Sequence, residues 1–256
     1  MDKRLEIAIH AALEAGKAIL EEYNNPHDIE IKDDESPVTQ ADKRANDIIV
    51  NILSQHFEDH DILAEESVDD MKRLNNEWCW IVDPVDGTKE YIKRNGEFTV
   101  NIALAHNNKV LLGVVYVPVT GELYYAQKGF GAYYKLNGKE ERIHVSTRKD
   151  DLVVMVSRSH MRGSTRELLE NNAHRISKTI SRGSSLKGCM IAKGDADVYY
   201  RYGPTSEWDI AAMAIIIEEA GGYIYEMDDS EFVYNRENVR NEKGFYILNS
   251  LENKLI

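Results

Sequence analysis

The apolar run Trp78-Cys79-Trp80-Ile81-Val82 leads straight into Asp83-Pro84-Val85-Asp86-Gly87-Thr88. Five uncharged residues of this kind read as a short buried strand. A fold that buries the strand must therefore deal with two carboxylates at its end, and buried carboxylates are paired, hydrogen-bonded or metal-bound. Pro84 fixes its own φ, so Asp83 and Asp86 are expected on a rigid turn. Gly87 lets the backbone approach a ligand closely. A helix starting at Thr88 would turn its N–H groups toward an anion, and the Thr88 hydroxyl could orient a water.

Three other acid clusters fall at element ends. Asp42 starts an expected helix, Glu65-Glu66 follow the short apolar run Ile62-Leu63-Ala64, and Asp209 starts a helix after Gly203-Pro204. Taken singly, each has a plain explanation: an N-cap for Asp42 or Asp209, a solvated loop for Glu65-Glu66, a turn for Asp-x-x-Asp-Gly. His160 alone reads as a satisfied polar residue, Trp208 as core, and Cys189 as a small buried hydrophobe. The joint occurrence carries the argument. Carboxylates at strand ends can meet in one crevice, where α/β proteins bind ligands, and hard cations such as Mg²⁺ take such oxygens beside a substrate phosphate.

Charge decides what else the chain can bind. The 256 residues hold 31 Lys+Arg and 44 Asp+Glu, a formal net charge of −13. That excess disfavours a nucleic-acid polymer or an anionic lipid surface as partner. Cys79 and Cys189 form no CxxC, so neither a disulfide framework nor a thiolate zinc site is expected, and a reducing cytoplasm is the simplest compartment. Glu6, Glu14, Glu21 and Glu22 interrupt any apolar signal region in residues 1–23, and no run is long enough to span a membrane.

Periodicity organises the rest. Residues 3–23 and 41–57 carry helical apolar spacing, and 29–31 reads as a short strand before a polar loop over 32–40. Val100, Ile102 and Leu104 alternate as in a half-buried strand, followed by strands over 110–117, 123–126 and 132–135. Beyond about 147, strands over 152–156, 198–201, 223–226 and 245–248 alternate with helices over 165–170, 184–193 and 209–220, the last ended by Gly221-Gly222. Two halves sharing an interface are expected: an α+β half, residues 1–147, with most metal ligands, and an α/β half, residues 148–256, with Asp209 and the residues that choose the substrate.

Glu65-Glu66, Asp83-Pro84-Val85-Asp86-Gly87-Thr88 and Trp208-Asp209-Ile210-Ala211-Ala212, in that order, resemble the inositol monophosphatase superfamily of lithium-sensitive, magnesium-dependent phosphatases. Ser36–Asp42 matches that family's mobile loop and its terminal aspartate. The run Gly87–Leu104, with Ser157-Arg158-Ser159-His160, Gly183–Lys187 and Arg201–Thr205, is similar to the bacterial 3'(2'),5'-bisphosphate nucleotidase branch. The similarity covers about residues 5 to 250. Tyr91 stands where that branch usually has Phe, and Gly188 where an aromatic is expected.

The resemblance implies a layered αβαβα sandwich of the inositol monophosphatase/fructose-1,6-bisphosphatase type, of mixed α+β and α/β character. It implies two or three Mg²⁺ ions: one on Glu65, Asp83 and the Val85 carbonyl, a second on Asp83, Asp86 and Asp209, a looser third involving Glu65, Glu66 and the 32–42 loop. Asp42 and Thr88 would be the catalytic pair that orients the attacking water. Substrate would meet Glu65, Val85, Asp86, Gly87, Thr88 and Asp209 at the scissile phosphate, and Ser159, His160, Ser184 and Lys187 at the nucleoside or second phosphate. The implied reaction takes adenosine 3',5'-bisphosphate to AMP and phosphate, with 3'-phosphoadenylyl sulfate as a second substrate. An inositol or sugar-phosphate phosphatase with the same metal chemistry is the alternative, and a non-catalytic nucleotide sensor is the reading from another class. The partner is a small nucleotide in each nucleotide reading. A homodimer and peripheral association with the inner membrane stay open.

Overall fold

The computed structural model describes residues 2–24, 29–31, 37–158 and 163–256. Helix α1 (Lys3–Tyr23) is capped by Asp2, whose carboxylate accepts the Arg4 N–H at 2.8 Å. Strands β1 (Ile29–Ile31) and β2 (Pro37–Thr39) pair antiparallel and lead into helix α2 (Gln40–His56). The loop expected over 32–40 is thus cut short at its end, and residues 32–36 lie outside the described residues. Pro37 opens β2, a position where its missing N–H is tolerated.

Seven strands then form one sheet in chain order: β3 (Asp61–Ala64), β4 (Trp78–Asp86), β5 (Thr99–His106), β6 (Lys109–Val117), β7 (Glu122–Gln127), β8 (Gly131–Leu136) and β9 (Lys139–Ile143). Only β3 and β4 run parallel. The one-turn helix α3 (Thr88–Ile92) interrupts between β4 and β5. β9 reads Lys-Glu-Glu-Arg-Ile, gives no apolar signal, and forms a charged edge, which discourages pairing with other chains.

A second, five-stranded sheet is built from β10 (Leu152–Ser157), β11 (Ile176–Arg182), β12 (Val198–Arg201), β14 (Tyr223–Glu226) and β16 (Phe245–Leu248), in the order β11-β10-β12-β16-β14. Helices α4 (Gly163–Asn171), α5 (Leu186–Ala192) and α6 (Glu207–Glu219) intervene, and β13 (Thr205–Ser206) pairs with β15 (Arg240–Asn241) just ahead of α6.

Side-chain alternation sorts these elements into layers. On β5, Val100, Ile102 and Leu104 join a core with α1 and α2, whereas Ala103 and Ala105 join a core with α5 and α6. Val153, Met155, Tyr199 and Ile247 of the second sheet close that middle core from its far side. Leu152, Val154, Tyr200 and Leu248 point the other way, toward Leu168 of α4. The order is helices, sheet, helices, sheet, helix: the expected αβαβα sandwich. β5 is buried on both faces and not on one, because a helical layer covers each side of its sheet.

Helix α6 is the pivot of the middle layer. Its residues Ile210–Ile217 are all buried. It ends in a left-handed glycine, Gly221 at φ +90°, with N–H groups of Gly221 and Gly222 closing on Glu218 and Ile217 carbonyls. It lies directly on Gly113 of β6, where an added Cβ would fall 2.5 Å from the Ala212 carbonyl oxygen. Among the described residues no helix is long and apolar enough to cross a membrane. Gly113→Ala should therefore lift α6 and destabilise the protein by about 1–3 kcal/mol. Urea unfolding checks this, and an unchanged midpoint would show that the helix does not press on β6 there.

Candidate functional site

β4 does not stop at Val82. It continues through Pro84 to Asp86, and its register with β5 slips: Asp83 lies opposite Asn101, but Asp86 lies opposite Thr99. Three residue steps on β4 thus face two on β5, which is a bulge. Asp83 and Asp86 are accordingly on a bulged strand and not on the rigid turn expected from Pro84. The bulge matters because residues three apart on a regular strand point to opposite faces. Here carboxylate oxygens of Asp83, Asp86 and Asp209 come within 4.8 Å of one another.

Asp42 and Asp209 arrive by a shared device. Neither is an N-cap. Thr39 and Ser206 are the N-caps of α2 and α6, and each aspartate is the third helical residue of a capping box. One oxygen of each carboxylate is committed to its cap: Asp42 Oδ2 accepts the Thr39 N–H at 2.9 Å, and Asp209 Oδ2 accepts the Ser206 N–H at 2.6 Å. Thr88 Oγ1 lies 3.1 Å from Asp42 Oδ1 and 3.3 Å from the Val85 carbonyl oxygen.

Asp83 and Asp86 are anchored in the same one-sided way. Asp83 Oδ1 accepts the Val85 N–H at 3.0 Å. Asp86 Oδ2 accepts from the Ser185 N–H (2.7 Å), the Ser185 hydroxyl (3.0 Å) and Asn101 Nδ2 (3.3 Å). These donors hold one oxygen of each group, and Asp83 is hydrogen-bonded to Glu65 as well.

The electrostatic cost is large. Asp83 is 1% exposed. Burial, and then the charges of Glu65, Asp86 and Asp209, push its pKa far above the ordinary carboxylate value. Burial and Asp86 raise Asp209 to about 7. Asp42 is raised by burial, and the charge of Glu66 adds to this. Only oxygen donors converge here, so the set fits a hard divalent cation.

The cavity beside the cluster has a volume of about 270 Å³. Glu65, Asp86, Gly87, Thr88 and Asp209 line it together with Ser184, Lys187, Arg201, Tyr199, Met213 and Phe245. The cations Lys187 and Arg201 are near enough to Asp209 for their charges to act on it. Lys187 is buried. Its Nζ donates to the Ser184 carbonyl at 2.5 Å, and burial lowers its pKa to about 8. Ser184 is left-handed (φ +47°) and lies ahead of α5, not within the helix expected from 184. Its Oγ is 2.8 Å from Thr99 Oγ1. Ser159 and His160 lie outside the described residues.

Several site residues escaped the sequence reading. Asn101 and Ser185 grip Asp86, and Arg201 lines the cavity with its Nε buried and no hydrogen-bond partner for that atom among the described residues. A signal existed for Asn101: Thr99 and Asn101 are a polar pair two apart in an otherwise apolar strand. Gly188 does not itself line the cavity but lies directly behind its wall. It packs beneath Met213 and Ile217, where a Cβ would sit 2.7 Å from the Met213 sulfur.

Fold and site together define a metal-dependent phosphatase architecture, and the chain belongs to the inositol monophosphatase family, whose model matches residues 1–254. It is 42% identical to the 3'(2'),5'-bisphosphate nucleotidase CysQ of Salmonella typhimurium and 40% identical to that of Escherichia coli, in each case over 90% of this chain and 93% of the relative. Among solved structures, CysQ from Bacteroides thetaiotaomicron superposes with a TM-score of 0.84 at 39% identity, covering 95% of this chain and 96% of that one. The suhB protein of Bartonella henselae gives 0.83 at 28% identity, covering 98% and 95%.

The raised carboxylates make a pH prediction. Asp83 and Asp209 hold protons more tightly folded than unfolded. The stability they contribute is complete below the ordinary value of 3.8 and, for Asp209, is lost as pH rises through about 7. A bound cation favours the ionised forms and reverses the loss. The rise in Tm on adding Mg²⁺ should thus be larger by a few degrees at about pH 8 than at about pH 5.5. Scanning fluorimetry measures it, and equal rises at both pH values would mean that these carboxylates do not bind the ion.

Proposed function

We propose that this chain is a 3'(2'),5'-bisphosphate nucleotidase that hydrolyses the 3'-phosphate of adenosine 3',5'-bisphosphate to give AMP and phosphate, and also accepts 3'-phosphoadenylyl sulfate. The observation that carries this is that one cavity is lined by both signs of charge. Asp86 and Asp209 suit a cation-bound phosphate, and Lys187 and Arg201 in the same lining suit a second anion. An inositol monophosphate has no second phosphate to offer them. Gly188, where the nucleotidase branch would have an aromatic, stands behind Met213 and does not line the cavity. The identity to relatives of this activity, over nine-tenths of the chain, supports the same reading.

The cofactor in this proposal is Mg²⁺, two or three ions on Glu65, Asp83, the Val85 carbonyl, Asp86 and Asp209, with Glu66 at the margin. Bound there, the ions would lower the pKa of a water and neutralise phosphate charge. Residues 1–147 supply most of these ligands and 148–256 supply Asp209, Ser184, Lys187 and Arg201. Thr88, hydrogen-bonded to Asp42, orients the attacking water and passes its proton to Asp42, whose raised pKa suits it to accept one. As the water oxygen bonds to phosphorus, the bond from phosphorus to the ribose oxygen breaks, the ribose oxygen takes a proton from solvent to leave as the 3'-hydroxyl, and Asp42 returns its proton to solvent. Gly87, left-handed at φ +94°, allows the phosphate close to the backbone ahead of α3. Li⁺ inhibition belongs to the same proposal, since a single charge in the second site compensates too little. The buried, unpaired thiols of Cys79 and Cys189 suit a cytoplasmic setting.

Two measurements test the reading. At saturating Mg²⁺, kcat/KM for adenosine 3',5'-bisphosphate should exceed that for inositol 1-phosphate by at least about tenfold, the worth of one charge-assisted hydrogen bond. The opposite ranking would remove the nucleotidase assignment. Thr88→Ala should lower kcat by about 10²–10⁴ and keep the Mg²⁺-induced rise in Tm. Normal turnover in that variant would exclude Thr88 from the chemistry.

A further inference from the structure

Behind Asp209 runs a buried polar chain that no step of the reaction uses. Glu207, the first residue of α6, is 0% exposed. Its Oε2 accepts the Asn235 N–H at 2.6 Å, and its Oε1 accepts Arg236 N–H at 3.0 Å and Arg236 Nε at 3.1 Å. Asn235, left-handed at φ +57°, turns its side chain the other way. Its Oδ1 accepts from Arg73 Nη1 at 2.8 Å, and its Nδ2 donates to the Arg73 carbonyl at 2.9 Å. Arg73 is 2% exposed, also donates to the Arg236 carbonyl, and is ion-paired to Asp69 at 2.6 Å. The chain Glu207–Asn235–Arg73–Asp69 therefore joins the first turn of α6 to the segment that leaves β3 through Glu65 and Glu66.

Those two ends carry like charges. Asp209 and Glu65 both press on Asp83, and they come from elements far apart in sequence. Without a cation, repulsion favours their separation, and the first turn of a helix is where a helix frays most easily. Burying a carboxylate and a guanidinium is expensive, and an apolar pair would pack there at lower cost. Directional, multiply bonded groups instead set a distance, which packing alone does less sharply.

We propose that Glu207 is a positioning residue. Held through Asn235 and Arg73, it fixes Asp209 relative to the Glu65–Glu66 segment before any cation arrives, so that the site binds metal without first having to be drawn together. This rests on the metal-binding reading of the site given above.

The test compares Mg²⁺ binding to the EDTA-treated protein, by calorimetry, with the Mg²⁺ dependence of turnover. Glu207→Ala should weaken Mg²⁺ binding and raise the Mg²⁺ concentration for half-maximal rate by about tenfold, the lower end of what outer ligand supports contribute. kcat at saturating Mg²⁺ should stay within about threefold. Glu207→Gln keeps one carbonyl oxygen, enough for the Arg236 N–H and Nε, but turns an NH2 against the Asn235 N–H, so its Mg²⁺ affinity should fall between those of Glu207→Ala and the wild type. Asn235→Gly tolerates the positive φ and keeps its N–H to Glu207, so it cuts the link to Arg73 and a long hydrogen bond to the Asn76 carbonyl while leaving Glu207 held. It should weaken Mg²⁺ binding in the same direction, and it decides the matter if Glu207→Ala does not fold. Wild-type Mg²⁺ affinity in Asn235→Gly and in any folded Glu207→Ala, whatever their Tm, overturns the proposal. Loss of kcat with unchanged affinity does so too. Absence of Mg²⁺ binding by the wild-type protein would instead overturn the reading of the site itself.

Discussion

Three carboxylates that repel one another, Asp83, Asp86 and Asp209, share a space less than 5 Å across at the edge of the middle layer. Burial there favours the protonated acids, as the raised pKa of Asp83 and of Asp209 shows. The surrounding structure is arranged so that a cation, and not a proton, can relieve this. A proton would neutralise one group at a time. A divalent ion neutralises the cluster and keeps every oxygen as an acceptor.

The constraint explains local features that would otherwise look unrelated. The bulge in β4 puts Asp83 and Asp86 on one side. The two capping boxes let Asp42 and Asp209 stabilise a helix start and serve the site at once, each with one oxygen for its own helix. Asn101 and Ser185 bind one oxygen of Asp86, which orients it. Five layers supply the rigidity. α6 rests on Gly113 through Ala212 and Ile215 in the middle of its buried face and is braced by Glu207 at its first turn, so little freedom is left for Asp209 to retreat.

Much of this was legible in the residues. Amphipathic spacing located α1 and α2, the stop at Gly221-Gly222 bounded α6, and apolar runs located β4, β6, β10 and β12, because all of these are local properties of the chain. The acid motifs stood out as a set. The strands β9 and β11 did not, since an edge strand needs little apolar surface and its partners lie elsewhere in the chain. The bulge was read as a turn because Pro84 restricts one φ but does not say how β5 will be registered against it. Asp42 and Asp209 were read as helix starts for a similar reason: the side chain that caps a helix is fixed by which N–H it reaches, and Thr39 and Ser206 reached first.

Periodicity placed most of the elements, and the acid motifs, in their order, carried the resemblance that implied the family, its layered architecture and the meeting of Asp83, Asp86 and Asp209. All of these depend on which residues are apolar, which are charged and in what order they occur. The geometry of the meeting was settled only on folding. The slipped register of β4 on β5, the grip of Asn101 and Ser185 on Asp86, the approach of Arg201 and Lys187 to one cavity, the retreat of Gly188 behind Met213, and the brace from Glu207 to Arg73 all join residues remote in sequence. Such contacts exist only where packed elements come together, and no local pattern in the chain encodes their distances.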